Sequence, residues 1–202
     1  MRPKVRIIAA VGRDGLIGAS NGLVFRCKED MARFKRLTSL NGSCCLMGAN
    51  TALSLPFEDH VLPGRDCFVI TSRRSGEFPA AKAVISSVNE AIYHIFYEPN
   101  VTLFGKYRWI NIIGGASVYR QMIDWADELW LTESEHYLYR AGMEDTAYFP
   151  EIPESFHTGS IEYKNSPSFD INGDPLRCGF TFTTYYNNSC YYRRIYNRDH
   201  TL

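Results

Sequence analysis

The chain is predicted to be an α/β protein built on a mostly parallel sheet, and three observations carry that prediction. Compact apolar runs recur through the first 113 residues, helical stretches separate them, and after about residue 126 the strands follow one another with little helix between. Strands that alternate with helices favour right-handed crossovers and a parallel sheet covered on both faces. Strands joined by turns favour an antiparallel pair, here closing one edge of the sheet.

The elements justify themselves in order. VRIIAAV (5–11) is a buried strand, and it leads into AAVGRDGLIGASNGLVF (9–25). Gly12, Gly15, Gly18 and Gly22 make that segment a long mobile loop of the kind that closes over a site and excludes water. LVFRCKEDMARFKRL (23–37) then opens a helix spanning 28–40. At 100° per residue, Cys27, Met31, Phe34 and Leu37 share one side, while Glu29, Ala32, Lys35 and Arg36 point away. SCCLM (43–47) is a strand, followed by a short helix near 50–55; DCFVIT (66–71) and KAVIS (82–86) are strands. A helix over 87–97 starts at a capping box, Ser87 with Glu90 three residues later. RWINII (108–113) is a strand and 116–125 a helix. ELWLTES (128–134), FHTGSIEYK (156–164) and CGFTFTTYY (178–186) complete the strands, and FDINGDP (169–175) supplies Asn-Gly and Asp-Pro turn chemistry between the last two. No repeat or linker divides the chain, so residues 1–186 read as one domain and 187–202 as an extension.

Composition narrows the function classes. Of 202 residues, 45% are hydrophobic and 22% charged, as in an ordinary globular domain with a core of useful size. Twenty-two basic and 22 acidic side chains cancel, so bulk charge selects neither nucleic acid nor an anionic membrane. The extension interleaves Arg193, Arg194 and Arg198 with Tyr191, Tyr192 and Tyr196, which suits stacking on a nucleic-acid strand, but a polar terminus is the simpler reading. The six cysteines include no C-x-x-C pair, four of them sit among apolar residues as small core hydrophobes, and no metal site is expected. The apolar run in MRPKVRIIAAV is too short for a signal peptide or membrane span, which leads to an expected cytoplasmic, reducing location.

One residue breaks the pattern of its helix. Asp30 projects between Phe34 and Leu37, inside the apolar arc. Taken alone it is a first-turn carboxylate favoured by the helix dipole. Other segments give it company. INIIGGASVY (110–119) runs a strand through Gly114-Gly115 into a helix beginning near Ala116 or Ser117, a turn that lets backbone approach a ligand and offers N–H groups to an anion. CLMGANTALSL (45–55) is a second such junction, with Gly48 at the turn and Thr51 near the helix start; the two could hold both ends of one extended phosphate ligand. In LPGRDCFVITSRR (62–74), Arg65 precedes a strand and suits a carboxylate, while Thr71, Ser72, Arg73 and Arg74 follow it and suit a phosphate monoester.

Taken in register, IIAAVGRDGLIGASNGL, DMARFKRLT, LMGANT, LPGR, VITSR, IIGGASVY, LWLT and DTAYFP resemble dihydrofolate reductase over about residues 5–150, and the final strand pair is similar to that family's C-terminal hairpin. The resemblance implies a single-domain, three-layer α/β fold with a central mixed, mostly parallel eight-stranded sheet. It implies NADPH as cofactor, and reduction of 7,8-dihydrofolate to tetrahydrofolate by hydride transfer to C6 with protonation at N5. Carried over by residue, Asp30 would be the pterin-site carboxylate, supported by Thr132. Ile8, Met31, Phe34, Leu55, Leu62 and Ile113 would wall the substrate pocket, and Arg65 would take the α-carboxylate of the substrate's glutamate. Ala10, Ile17, Leu23 and Tyr119 would lie near the nicotinamide. Gly48, Ala49, Asn50, Thr51, Gly114, Gly115, Ala116, Ser117 and Val118 would line the pyrophosphate-side loops, and Thr71, Ser72 and Arg73 the adenosine 2′-phosphate. Antifolate-type small molecules would be ligands, and the chain a monomer or small homo-oligomer. The resemblance also implies a cis peptide at Gly114-Gly115 and makes Leu55-Pro56 a candidate cis proline.

The chain departs from the family pattern in three places. Val24-Phe25 stands where the family has Pro-Trp, Ala49 and Asn50 where a basic residue follows Met-Gly, and Ala52 where a Trp is usual. Similar substitutions occur in phage-type members. Two alternatives remain at this point. One is a same-fold reductase of a riboflavin-pathway pyrimidine, against which Asp30 stands; the other is a non-catalytic cofactor-binding or structural module.

Overall fold

The apolar runs form strands because each can bury both faces. The computed structural model describes residues 2–20, 22–72, 75–97, 103–176 and 179–188. The first strand, β1 (Lys4–Val11), is followed by three short ones, β2 (Leu16–Ala19), β3 (Gly22–Leu23) and β4 (Phe25–Cys27), and by helix α1 (Lys28–Thr38). Then come β5 (Ser43–Gly48), α2 (Ala49–Leu53), β6 (Asp66–Ile70), β7 (Ala83–Ile85), α3 (Val88–Phe96), β8 (Trp109–Ile112) and α4 (Ala116–Met122). The last part holds β9 (Glu128–Ser134), β10 (Ala147–Tyr148), β11 (Phe156–Lys164), β12 (Ser168–Asp170), β13 (Pro175–Leu176) and β14 (Phe180–Asn187).

Eight strands make the central sheet in the order β11-β14-β9-β1-β8-β5-β6-β7. From β9 to β7 all neighbours are parallel, and β14 runs antiparallel to both β9 and β11. Period-two alternation sends adjacent residues of β5 and β6 to opposite faces. Cys44, Leu46, Phe68 and Ile70 pack with α3 and α4 on one side, whereas Cys45, Met47, Cys67 and Val69 pack with Phe34 of α1 and Ala52 of α2 on the other. The result is three layers, as expected. The described cysteines, Cys27, Cys44, Cys45 and Cys67, are buried free thiols.

The helices begin and end where local chemistry directs. Ser87 Oγ accepts from the Glu90 N–H at 3.1 Å, but Glu90 returns its carboxylate to the Ser86 N–H at 2.9 Å, one residue earlier than a regular capping box. The helix expected over 116–125 tightens into a 3₁₀ turn at Ile123–Trp125, and the one expected over 28–40 stops at Thr38, where the Ser39 N–H bonds Lys35 O at 3.0 Å.

The segment 9–25, expected as one long loop, contains strand structure. β2 pairs with β3 and with β10, and β4 pairs with β12, which pairs in turn with β13 around the Asn-Gly turn. The Asp14 carboxylate anchors this segment by accepting from the Leu138 and Tyr139 N–H groups at 2.9 and 2.7 Å. Val24 and Phe25 are buried with Leu16, Leu138, Phe180 and Phe182 in an apolar cluster. The Gly114–Gly115 peptide is cis, and it is the only cis bond among the described residues. Leu55–Pro56 is therefore trans, contrary to the expectation: the chain leaves α2 through a turn in which the Leu55 N–H bonds Ala52 O at 3.1 Å.

Candidate active site

The site begins at the start of α1. Cys27 caps the helix in extended backbone, φ −141° and ψ 153°, and its Sγ accepts from the Asp30 N–H at 3.3 Å. That cap puts Asp30 in the first turn with its side chain turned to the sheet. Thr132 of β9, opposite Ala10 of β1 and Phe182 of β14, donates its hydroxyl to Asp30 Oδ1 at 2.5 Å. Thr132 is only 1% exposed. Burial pushes the Asp30 carboxyl above its usual range, while the Thr132 hydrogen bond and the charge of Arg33 pull it back. The engaged oxygen is Oδ1; no hydrogen bond from the described residues engages Oδ2.

An apolar cluster packs on the same side of the sheet as α1. Leu62 and Ile113 are buried in one cluster, with Phe34, Leu55 and Ala49 packed against it. Ile8 is buried on β1, and its carbonyl accepts the Tyr119 hydroxyl at 2.8 Å. Burial holds the Tyr119 phenol well above its usual range, so it remains a neutral donor. Ile17 is buried and Ala10 half-buried, whereas Met31 and Leu23 are 50% and 44% exposed and stand outside the apolar clusters. Arg65 sits at the far end of α1, where its Nη1 donates to Thr38 Oγ1 at 3.1 Å and its Nε to Pro63 O at 3.1 Å.

The two glycine junctions meet. The Gly48 N–H bonds Gly114 O at 2.8 Å, joining the ends of β5 and β8. A Cβ on Gly114, whose φ is +138°, would lie 2.8 Å from Thr51 Oγ1, and one on Gly48 would lie 3.1 Å from Val118 Cγ2. Only glycine permits this approach, and glycine at both N-caps, Gly48 and Gly115, has no side chain to cap the first turns of α2 and α4. Ala49, Asn50, Thr51, Ala116, Ser117 and Val118 follow on those turns. Next along the same sheet edge, Thr71 is buried and its N–H bonds Ile85 O at 2.9 Å; Ser72 is exposed. Arg73 and Arg74 lie outside the described residues, as does the extension from residue 189.

The expectations missed a buried charge next to Asp30. The sheet-facing side of α1 includes Arg33, 7% exposed, which donates to Leu131 O at 3.0 Å and to Thr132 Oγ1 at 3.3 Å. Its spacing was the available signal: position 33 falls on the same stripe as 30 and 37. A cavity of 580 Å³ at the end of β9, lined by Gly12, Arg13, Glu133, Ser134, Glu135 and Thr181, includes none of the expected site residues. Among the described residues, no cluster of His, Cys, Asp or Glu could hold a metal ion, and no helix is long and apolar enough to cross a membrane.

Fold and site together define a class: a three-layer α/β protein with one half-buried carboxylate on its first helix and a pair of glycine-led helix starts. The comparisons make this specific. The dihydrofolate reductase family model matches residues 4–177. Similar relatives are the dihydrofolate reductases of Mycobacterium leprae (36% identical, covering 66% of this chain and 74% of the relative), Bacillus subtilis (31%, covering 75% and 78%) and Neisseria gonorrhoeae (34%, covering 74% and 80%). The chain belongs to the dihydrofolate reductase family, and its activity is NADPH-dependent reduction of dihydrofolate; the pyrimidine-reductase and non-catalytic alternatives are not favoured.

Proposed function

We propose that Asp30 is the carboxylate that binds and polarises the pterin, with Thr132 as its support. The observation that carries this reading is the 2.5 Å bond from a buried Thr132 hydroxyl to the only acidic side chain turned inward on α1. With Oδ1 so engaged, Oδ2 is the atom for the pterin's 2-amino group and ring nitrogen. An acceptor in a partly desolvated setting binds such donors more strongly than it would in water. By accepting from the 2-amino end, the Asp30 carboxylate pushes electron density through the ring toward N5 and favours protonation there, with water as the proton carrier. Ile8, Phe34, Leu55, Leu62 and Ile113 exclude bulk water from the ring, Met31 covers the cleft's open side, and Arg65, pre-set by Thr38, takes the substrate's α-carboxylate.

NADPH, when bound, supplies the hydride for C6. The glycine cradle fits such a ligand, because a side chain at Gly48 or Gly114 would collide with Val118 or Thr51. The first-turn N–H groups of α2 and α4 would hold the pyrophosphate, and Thr71, Ser72 and Arg73 the 2′-phosphate. Ala10, Ile17, Leu23 and Tyr119 would flank the nicotinamide, with Tyr119 acting through the Ile8 carbonyl it holds. Residues 1–186 form the catalytic domain and the rest an extension. Antifolate-type molecules would occupy the Asp30 cleft, and the chain would work as a monomer or small homo-oligomer. Four buried free thiols accord with a reducing, cytoplasmic setting.

The test is NADPH oxidation with dihydrofolate by the native chain and Asp30→Asn. Turnover in the variant is expected to fall about 100-fold or more at neutral pH. It should recover partly at low pH, where the substrate is protonated in solution. Unchanged turnover in a folded Asp30→Asn protein removes the carboxylate from the chemistry.

A further inference from the structure

A buried arginine is usually paired with a carboxylate face to face. Arg33 is instead placed one bond away from its carboxylate. Its guanidinium carbon lies 4.3 Å from the Phe182 ring centroid and 5.3 Å from that of Trp130. Arg6 also lies 4.5 Å from the Trp130 ring centroid, and 4.1 Å from that of Trp109. Trp109, Arg6, Trp130, Arg33 and Phe182 thus form a ladder of alternating aromatic and cationic groups across the α1 face of the sheet. Cation–π contact of this kind holds a guanidinium without using its donors. Nη1 is left to bond the Leu131 carbonyl and the Thr132 hydroxyl oxygen.

The consequence follows from donor and acceptor inventories. A guanidinium can only donate, and a hydroxyl has a single hydrogen. With Arg33 on its lone pair, Thr132 must send that hydrogen elsewhere, and Asp30 Oδ1 is the acceptor at 2.5 Å. We propose that Arg33 is a positioning residue of the reaction centre, one that sets the Thr132 hydroxyl as donor to Asp30 and whose charge opposes the effect of burial on that carboxylate. The inference rests on the reading of Asp30 given above. The indirect arrangement has a chemical advantage: a bidentate Arg–Asp pair would consume both carboxylate oxygens, whereas a relay through Thr132 uses Oδ1 alone and leaves Oδ2 for substrate.

The groups surrounding the pair are consistent with this. Facing Asp30 are Arg33 on α1, Thr132 on β9, the neutral Tyr119 phenol on α4 and the Cys27 thiol at the N-cap, which burial raises to about 11. Facing Arg33 are Asp30 and Arg36 on α1, Arg6 on β1 and Glu162 on β11. Burial lowers the Arg33 guanidinium to about 10, so it remains charged at neutral pH.

The experiment is a ¹³C-carboxyl NMR titration of aspartate-labelled protein, with Asp30 assigned by the signal lost in Asp30→Asn. Arg33→Met and Arg33→Gln are compared with Arg33→Lys, which keeps the charge. In both neutral variants the Asp30 titration should move up by about one pH unit, and the pH profile of kcat/KM for dihydrofolate should move with it. Arg33→Lys should return most of the shift. An unmoved Asp30 titration in either neutral variant that retains native near-UV circular dichroism overturns the proposal, as does an equal shift in all three variants. Arg33→Gln keeps the stem and a donor, so the test stands if Arg33→Met does not fold. Should Asp30→Asn leave turnover intact, the reading of Asp30 fails, while the titration still decides whether Arg33 governs its ionisation.

Discussion

Asp30 carries opposite demands from stability and from ligand binding. Burial raises its carboxyl, so between its unfolded and folded values the folded chain binds more protons than the unfolded chain. Stability attributable to this group therefore falls as pH rises from about 4 through the folded value, and levels off above it. Asp30→Asn removes the titration. In urea unfolding of the ligand-free protein, the stability of the native chain relative to Asp30→Asn is expected to decline across that window; a difference independent of pH contradicts the burial argument. Arg33 limits the loss without abolishing it. That arginine escaped notice in the sequence because one turn of helix spaces it like an apolar residue, while its charge reads as solvent-facing. The aromatic rings that the fold brings to it, Trp130 and Phe182, together with the Leu131 carbonyl and the Thr132 hydroxyl oxygen as acceptors, make burial tolerable.

At the scale of elements, the cofactor cradle depends on how closely the ends of β5 and β8 approach. Gly114→Ala introduces a Cβ 2.8 Å from Thr51 Oγ1 at φ +138°, so either the backbone or α2 must shift. Expected outcomes are a loss of about 1–3 kcal/mol of stability by chemical denaturation and weaker NADPH binding by fluorescence titration. Native affinity in this variant would mean the two junctions do not act together. The long strands and the helices were legible in the sequence to within two or three residues, because continuous apolar runs such as SCCLM have no alternative but burial on both faces. The short strands of the two small sheets, β2, β3, β4, β10, β12 and β13, were not, since so few residues carry no period. They exist because distant segments pair with them: Phe25 and Arg26 with Asp170 and Phe169, and Gly18 with Ala147. Of the candidate site, the residue types were legible and the contacts were not. Nothing in the spacing of Thr38 and Arg65, or of Gly114 and Thr51, announces that they touch.

Across the whole molecule, one carboxylate ties the N-terminus to the start of β9. Asp127, 8% exposed, accepts from Arg2 at 2.8 and 2.9 Å and from the Val5 N–H at 2.8 Å. Asp127→Ala would leave the buried Val5 N–H and the Arg2 guanidinium without this acceptor. A loss of about 3 kcal/mol in unfolding free energy is expected, with KM for dihydrofolate unchanged in the protein that remains folded. A loss below about 1 kcal/mol would show the tie to be incidental.

The outermost strand, β11, is exposed along most of its length, and such a strand is a template on which a second chain could add itself. Its register with β14 slips between Thr158 and Ser160, and Gly159 fills the irregularity where a Cβ would meet the Tyr186 ring at 2.2 Å. The bulge bends the edge, and the Glu162–Lys164 ion pair places charge farther along it. Intermolecular strand addition here would have to match an interrupted ladder and strip water from those charges. The bulge and the charges thus oppose copy-to-copy extension of the sheet at β11.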